Sequence, residues 1–322
     1  MSRPWRIVYE GALYHLLSRG NQGNDIFVDE KDRDRFLDTV GDMSEKYDMD
    51  IFAYVLMNNH YHLLVRTRQA NLKKAMQWFG TTYTQRFNRR HFRSGHLFQG
   101  RYKSIIVQND AYLMQISYYI HRNPLRAGII DRLADYPWSS YRVYAYGHDC
   151  PSWVSTDLIL SQFGDDQDCH RRYREKVQRY AGEEKRLFED LRHGLVFGSQ
   201  QFVEKIRKKY ASATTESSIP QQRQVAETFD PEAYLRRAEQ IFECDINHFV
   251  HTKRLSGTDK EIRNMLLYCI WKTGQFNNEQ IGNLFGISYS GVSHAVKSIK
   301  HKPSKSRKLQ NKLGLLNSQF KL

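Results

Sequence analysis

His60 and His62 lie two residues apart in NNHYHLLV, an apolar segment typical of a strand. Side chains alternate between the two faces of a strand, so we expect both imidazoles on one face and Tyr61 on the other, packed face. Two neutral imidazoles side by side are half of a site for a divalent metal. No third histidine or carboxylate lies close in the sequence, and a pair of strand histidines without a metal is the alternative.

Tyr119 and Asn123 form a second polar pair, in a helix predicted over residues 110–123. Because they are four residues apart, they stack one turn apart on the same side of that helix. A tyrosine can attack phosphorus as a nucleophile, and an amide oxygen beside it can ligate a metal. The alternative is a core tyrosine and an asparagine that caps the helix before Pro124, which is expected to end it.

The elements that position these residues are predicted from hydrophobic periodicity and turn residues. In chain order they are a strand over 7–17, a helix of about 18 residues after Asp29, strands over 51–57 and 60–65 joined at Asn58-Asn59, a helix over 71–88, a strand over 101–107 and a helix capped by Asn109 or Asp110. The order β-α-β-β-α-β-α is that of a ferredoxin-like (RRM-like) sheet with added helices. The sequence therefore predicts an α+β domain over residues 1–147.

Three motifs in order, NNHYHLLV, YIHRNPLRAGII and YPWSSY, resemble those of single-tyrosine HUH transposases, and among them the REP-associated tyrosine transposases, over about residues 5–147. The resemblance implies a metal-dependent enzyme that cleaves and rejoins single-stranded DNA through a 5′-phosphotyrosine. It implies that His60 and His62 hold Mg²⁺ or Mn²⁺ and that Asn123 can complete the metal shell. It also implies that Tyr119 is the nucleophile; Tyr118 is the neighbouring alternative, but the register of YIHRNP favours Tyr119.

Basic residues exceed acidic ones by 49 to 35 in this chain of 322 residues, a net charge of +14 that favours a polyanion such as DNA as partner. Residues 51–109 contain ten Lys or Arg and no acid, and like charges repel unless something neutralises them; a solvated face is the alternative. Aromatic rings interleaved there can stack on unpaired bases, although some must belong to the core. The predicted phosphate contacts are Arg66, Arg86, Arg89, Arg90, Arg101 and Lys103.

Residues 225–322 are predicted to form an all-α domain with a helix-turn-helix in IGNLFGISYSGVSHAVKSI, broken at Gly286. Over about residues 230–300 it resembles the DNA-binding domain of DnaA-type replication initiators, which implies duplex binding; a generic pair of helices is the alternative. The predicted contacts are Ser290, Ser293, His294 and Lys297. Residues 148–224 are predicted as a helical extension and a linker, with the polar linker over 211–224 and no role assigned.

Composition excludes several classes of protein. There is no run of 18 apolar residues, and the four cysteines form no CxxC pair, so we expect neither a membrane span nor a disulfide framework, and a cytoplasmic location. A non-catalytic nucleic-acid-binding regulator on the same sheet is the alternative function. An RRM-like RNA binder is a third, although no RNP-type aromatic strand motif is present. The sequence leaves the DNA target and the oligomeric state open.

Overall fold

The computed structural model describes residues 7–108, 111–148, 150–164, 168–180, 191–192, 196–210, 229–252, 255–273, 275–276, 278–301 and 306–320. Contacts divide the chain into two units. The first holds the described residues from 7 to 180 and from 196 to 202, and the second holds 191–192 and those from 203 to 320. The predicted cap at Asn109 or Asp110 and the predicted linker over 211–224 lie outside the described residues.

A mixed sheet is the centre of the first unit. The strands of the chain are β1 (Leu13–Arg19), β2 (Met49–Met57), β3 (His60–Thr67), β4 (Lys103–Val107), β5 (Leu191–Arg192) and β6 (Val196–Phe197). Within this unit they pair in the order β2-β3-β1-β4-β6, antiparallel except for the β4–β6 pair. The first four have the ferredoxin-like order, and the predicted α+β class is confirmed. Strand β6 is not predicted from the sequence, because two residues carry no alternating pattern.

Helices cover both faces of this sheet. They are α1 (Glu30–Tyr47), α2 (Leu72–Arg90), α3 (Ala111–Arg126), α4 (Tyr141–Tyr146), α5 (Asp157–Leu160), α6 (Cys169–Arg179) and α7 (Gln200–Tyr210), the last of which runs into the second unit. Short 3-10 turns lie at Asn21–Gly23, Leu133–Asp135 and Ser161–Phe163. From α1, Phe36 packs on Tyr61 of β3, with ring centroids 4.9 Å apart. On the opposite face Tyr119 of α3 packs on His62. The sheet is therefore enclosed, and β2 and β3 are buried along most of their length.

Two predicted boundaries differ from the structure. The first strand begins at Leu13 rather than Ile7, because Gly11, at a φ of 74°, makes a turn. The prediction that Pro124 ends its helix is wrong, since α3 continues to Arg126. A proline removes one backbone donor, but the following turn still forms: the Ala127 N–H donates to the Asn123 carbonyl at 2.9 Å.

Helices α5 and α6, which follow residue 147, belong to the first unit. Tyr173 of α6 lies against Tyr118 of α3 and Tyr144 of α4, with ring centroids 5.6 and 5.0 Å apart. Its hydroxyl is also 2.7 Å from Nδ1 of the buried His121. The predicted first domain stops at residue 147, whereas the first unit includes α5 and α6.

The described residues of the second unit from 229 to 320 form helices, as predicted. Its helices are α8 (Pro231–Phe242), α9 (Ile246–His251), α10 (Gly257–Lys272), α11 (Asn278–Phe285), α12 (Tyr289–His301) and α13 (Arg307–Gln319). Gly286 joins α11 to α12 at a φ of 62°, and a Cβ there would lie 2.1 Å from the Val250 carbonyl oxygen, so this turn requires glycine. Two helices joined by this turn are therefore present, and their assignment as a DNA-binding helix-turn-helix stays a prediction. None of the helices described in either unit is long and apolar enough to cross a membrane.

Candidate active site

His60 and His62 lie side by side on β3, with ring centroids 5.2 Å apart. His60 is half-buried, and His62 is only 4% exposed. Each ring has a protein partner at Nδ1: His60 Nδ1 is 2.7 Å from Asn59 Oδ1, and His62 Nδ1 is 2.8 Å from Nε2 of His15 on β1. Both Nδ1 atoms are therefore occupied by the protein, and Nε2 is the nitrogen left on each ring for a ligand.

This arrangement fits a divalent metal. The Asn59 amide oxygen can only accept, so His60 Nδ1 carries the proton and Nε2 keeps its lone pair. Metal-binding histidines generally use their second nitrogen in this way. Within the described ranges, no three His, Cys, Asp or Glu side chains come together as a possible metal site. A third protein ligand would therefore be an amide or hydroxyl, and the nearby α3 supplies Asn123.

Both histidines are held in the neutral form that a metal needs. Burial lowers the pKa of His62 well below its usual 6.5, and the neighbouring rings of His15 and His60 and the Arg126 cation add to that shift. Burial also lowers the pKa of His60, with further contributions from the cations of Arg19 and Arg126. At neutral pH neither imidazole has to lose a proton before it can bind a cation.

Tyr119 of α3 lies against the histidines. Its side chain is 6% exposed, and its ring meets those of His15 and His62 edge-on, with centroids 5.9 and 5.8 Å apart. Arg126, two turns further along the same face of α3, donates from Nη2 to the Tyr119 hydroxyl at 2.8 Å and to Asn123 Oδ1 at 2.8 Å. The guanidinium carbon also lies 4.3 Å from the Tyr119 ring centroid. Tyrosine, amide and arginine thus form one cluster beside the imidazoles.

Tyr118 faces a different part of the unit. Its ring packs against Tyr173 and Tyr180, with centroids 5.6 and 5.3 Å apart. Successive helix residues are rotated by about 100°, so when Tyr119 faces the histidines Tyr118 cannot. The geometry therefore favours Tyr119 over Tyr118 as the candidate nucleophile.

Three residues of the site were not identified from the sequence: His15, Arg19 and Arg126. Arg126 is seven residues after Tyr119 and three after Asn123, so helical spacing could have found it. His15 and Arg19 are on β1, and only the pairing of β1 with β3 brings them to His62 and His60. No local sequence pattern predicts the register of β1 against β3.

Lys103 and Arg101, two of the predicted phosphate contacts, are exposed. Lys103 is the cross-strand partner of Leu17, which in turn pairs with His62 on the other side of β1. Directly paired residues share a face of the sheet, so Lys103 lies on the face of the histidines. Lys103 can therefore contact a DNA backbone that crosses the site.

The other predicted arginines lie away from this face or form ion pairs. Arg66 is four residues past His62, about 13 Å along the strand, and pairs with Asp50 at 2.7 Å. The remaining three are on α2, which covers the opposite face of the sheet: Arg86 pairs with Asp42, Arg90 pairs with Asp29 and Asp32, and Arg89 is exposed. Carboxylates from residues 29–50 therefore neutralise some of the basic side chains in the acid-free stretch of residues 51–109. The local composition of that stretch does not reveal these ion pairs.

Phe92 is the exception among the aromatic rings of this stretch. Most of the others are in the core, whereas Phe92 is 98% exposed, at a φ of 50° that is uncommon for a bulky residue. It follows α2 in the loop that returns to the sheet, where the Gln99 N–H donates to the Arg19 carbonyl at 2.9 Å. The ring is therefore available to stack on a partner.

The predicted contacts on α12 divide into two groups. Ser290, His294 and Lys297 are exposed and lie at i, i+4 and i+7, which places them on one helix face. Ser293 instead accepts a hydrogen bond from Asn278 Nδ2 at 3.0 Å, which ties α12 to the start of α11. Only the first three positions present a continuous polar surface.

The first unit resembles known proteins over much of its length. The family model described as "Transposase IS200 like" matches residues 8–123. A REP-associated tyrosine transposase of Haemophilus influenzae is 24% identical over 108 residues, which are 30% of this chain and 61% of that relative. The solved structure of a REP-associated tyrosine transposase bound to a REP hairpin aligns at 15% identity and a TM-score of 0.40, over 49% of this chain and 94% of that one. Residues 8–123 therefore match the IS200-like transposase family.

Proposed function

We propose that this chain is a metal-dependent transposase and endonuclease that cleaves and rejoins single-stranded DNA through a phosphotyrosine at Tyr119. The observation that carries the proposal is the Tyr119 hydroxyl, held by Arg126, on a ring in edge contact with His62. His60, His62 and the Asn123 oxygen would hold Mg²⁺ or Mn²⁺. The chemistry that such an ion supplies is withdrawal of charge from the scissile phosphodiester.

Tyr119 attacks the phosphorus, so that a bond from its hydroxyl oxygen to phosphorus forms and the bond from phosphorus to the 3′ oxygen breaks. The phenol loses its proton, and the departing 3′ oxygen gains one. Phenols in water ionise only near pH 10, so a cation beside the oxygen assists the step. Arg126, 2.8 Å from that oxygen, supplies this charge. A 3′-OH attacking the phosphotyrosine reverses the bond exchange and rejoins the strand without an external energy source.

Asn123 can bind a metal while it keeps its hydrogen bonds to Tyr119 and Arg126. Its Nδ2 donates to the Tyr119 carbonyl at 2.9 Å, which orients the amide, and its Oδ1 accepts from Arg126. An amide oxygen has two lone pairs, so one remains for a metal while Arg126 holds the other. We therefore keep Asn123 as the third protein ligand.

The substrate contacts follow from the exposed residues around this cluster. Arg19 and Lys103 are exposed cations on the sheet face that carries the histidines, and Arg101 is exposed just before β4. All three would hold the phosphates of the bound strand. Phe92 would stack on an unpaired base. The exposed face of α12 would contact a DNA duplex, which separates target binding by the second unit from cleavage by the first.

The test is a covalent assay with the full-length protein, single-stranded DNA hairpins and Mn²⁺. We expect a protein–DNA adduct that survives denaturing electrophoresis, and its loss in His60→Ala and His62→Ala while DNA binding persists. His148→Ala removes an exposed imidazole outside the site and is the control that should keep the adduct. Adduct formation by both variants in the presence of chelator would reject the metal role. DNA binding without any adduct in the wild type would instead indicate a non-catalytic regulator.

A further inference from the structure

His15 contacts His62, a proposed metal ligand, but His15 itself has no role in the reaction described above. Its Nε2 lies 2.8 Å from His62 Nδ1, and the two rings stack with centroids 5.0 Å apart. His15 is 1% exposed, and its other nitrogen, Nδ1, is buried with no hydrogen-bond partner among the described residues. The ring therefore makes one polar contact, and that contact is to His62.

One proton lies between the two rings, and its position decides what His62 can do. If His62 Nδ1–H donates to His15 Nε2, the His62 Nε2 keeps a lone pair and can bind a metal. If His15 Nε2–H donates instead, a neutral His62 carries its proton on Nε2 and cannot. The same hydrogen-bond distance fits both arrangements, so the surroundings select between them.

The charges around His62 favour the first arrangement. The Arg126 guanidinium lies over the ring of Tyr119, whose edge meets His62, and it acts on His62 electrostatically. A lone pair on Nε2 is stabilised by a nearby cation, whereas an N–H dipole that points toward it is destabilised. His15, which contacts His62 at Nδ1, is neutral, because it is wholly buried.

We propose that His15 is a positioning residue that accepts the Nδ1–H of His62 and so keeps the His62 Nε2 lone pair available to the metal. The inference rests on the proposed function, since it assigns a metal to that nitrogen. Ligating histidines commonly have a carboxylate or a carbonyl as this second partner. Here the neutral imidazole of His15 accepts that hydrogen bond instead, and it introduces no charge into the buried sheet.

The first experiment reads the tautomer directly. The full-length protein is labelled with ¹⁵N-histidine and stripped of metal by chelation, and its imidazole nitrogen signals are recorded by NMR. Comparison with His62→Ala assigns the His62 ring. We expect a protonated Nδ1 and an unprotonated Nε2 on His62. The opposite pattern in the wild-type protein overturns the inference.

The second experiment measures Mn²⁺ affinity by the electron paramagnetic resonance of free Mn²⁺. His15→Phe keeps a ring but removes the acceptor, and we expect about a 10-fold to 100-fold loss of affinity. His15→Gln restores an acceptor near the position of Nε2 and should restore most of the affinity. His121→Phe is the matched control: it also removes a buried, hydrogen-bonded imidazole, but one that contacts Tyr173 and Ser140 rather than His62.

The outcomes separate this inference from the proposed function. Wild-type affinity in a folded His15→Phe variant, or no recovery in His15→Gln, overturns the positioning role. If the wild type binds Mn²⁺ and the His15 variants behave as expected but no DNA adduct forms, the inference stands and the proposed function fails. A wild-type protein that binds no Mn²⁺ overturns both.

Discussion

Replacing Tyr119 by phenylalanine removes a single oxygen atom from the proposed site. The ring keeps its edge contacts with His15 and His62 and its position beneath the Arg126 guanidinium. The lost interaction is the 2.8 Å hydrogen bond from Arg126, which still donates to Asn123. The substitution therefore tests the chemistry of the hydroxyl with little change in packing.

The expected cost in stability is small. Losing this one partly buried hydrogen bond reduces the free energy of unfolding by about 1 kcal/mol. No other atom of the side chain can form the phosphotyrosine, so Tyr119→Phe should give no covalent product at all. The assay uses DNA labelled at its 3′ end, because a 5′-phosphotyrosine retains the 3′ fragment and carries the label into the protein band. Chemical denaturation of the same samples measures the change in stability.

Tyr118→Phe is the matched control one residue away. Its ring packs on Tyr173 and Tyr180, so the variant should keep the adduct. Mass spectrometry of peptides from the wild-type adduct locates the linkage. DNA attached to Tyr118, or to Tyr112 in the first turn of α3, would refute the assignment of the nucleophile, and so would an adduct that persists in Tyr119→Phe.

Three further predictions concern other parts of the first unit. Burial lowers the pKa of His121 to about 3, so as pH falls from about 6.5 toward 3 the unfolded state takes up a proton that the folded state excludes. Each pH unit in that window should remove about 1.4 kcal/mol of stability, and His121→Gln should abolish this part of the slope in urea unfolding curves. Arg126→Met keeps the aliphatic stem but removes the charge beside the Tyr119 hydroxyl, and we expect adduct formation about 100-fold slower, with equal rates arguing against its role. Phe92→Ala should weaken binding of single-stranded DNA by about 1–3 kcal/mol in fluorescence anisotropy without lowering stability, and unchanged affinity would exclude stacking at this position.

The residues of the candidate site could be predicted wherever local periodicity carries the information. The two-residue spacing of His60 and His62 predicted that they share a strand face, and the rings are neighbours in the structure. The four-residue spacing of Tyr119 and Asn123 predicted one helix side, and Asn123 indeed bonds the Tyr119 carbonyl. These relations depend only on the geometry of a single element, which a sequence pattern records.

Contacts between distant segments could not be predicted in this way. Arg66, Arg86 and Arg90 are in a stretch without acids, and composition favoured phosphate contacts for all three. In the fold, carboxylates from residues 29–50 pair with them, because α1 packs beside α2 and β2 pairs with β3. Such ion pairs depend on how elements pack, not on what lies nearby in sequence.

The sequence by itself determined the β-α-β-β-α-β-α order of the elements from β1 to α3 and the helical character of the described residues from 229 to 320. It also determined the identity of the histidines, tyrosine and asparagine of the candidate site. Tertiary structure alone decided which side chains meet them. The register of β1 against β3 brings His15 to His62 and Arg19 to His60, and the packing of α6 on α3 encloses Tyr118 and leaves Tyr119 to the histidines. The physical reason is that periodicity follows from the backbone of one element, whereas register and packing result from burying the apolar faces of several elements together.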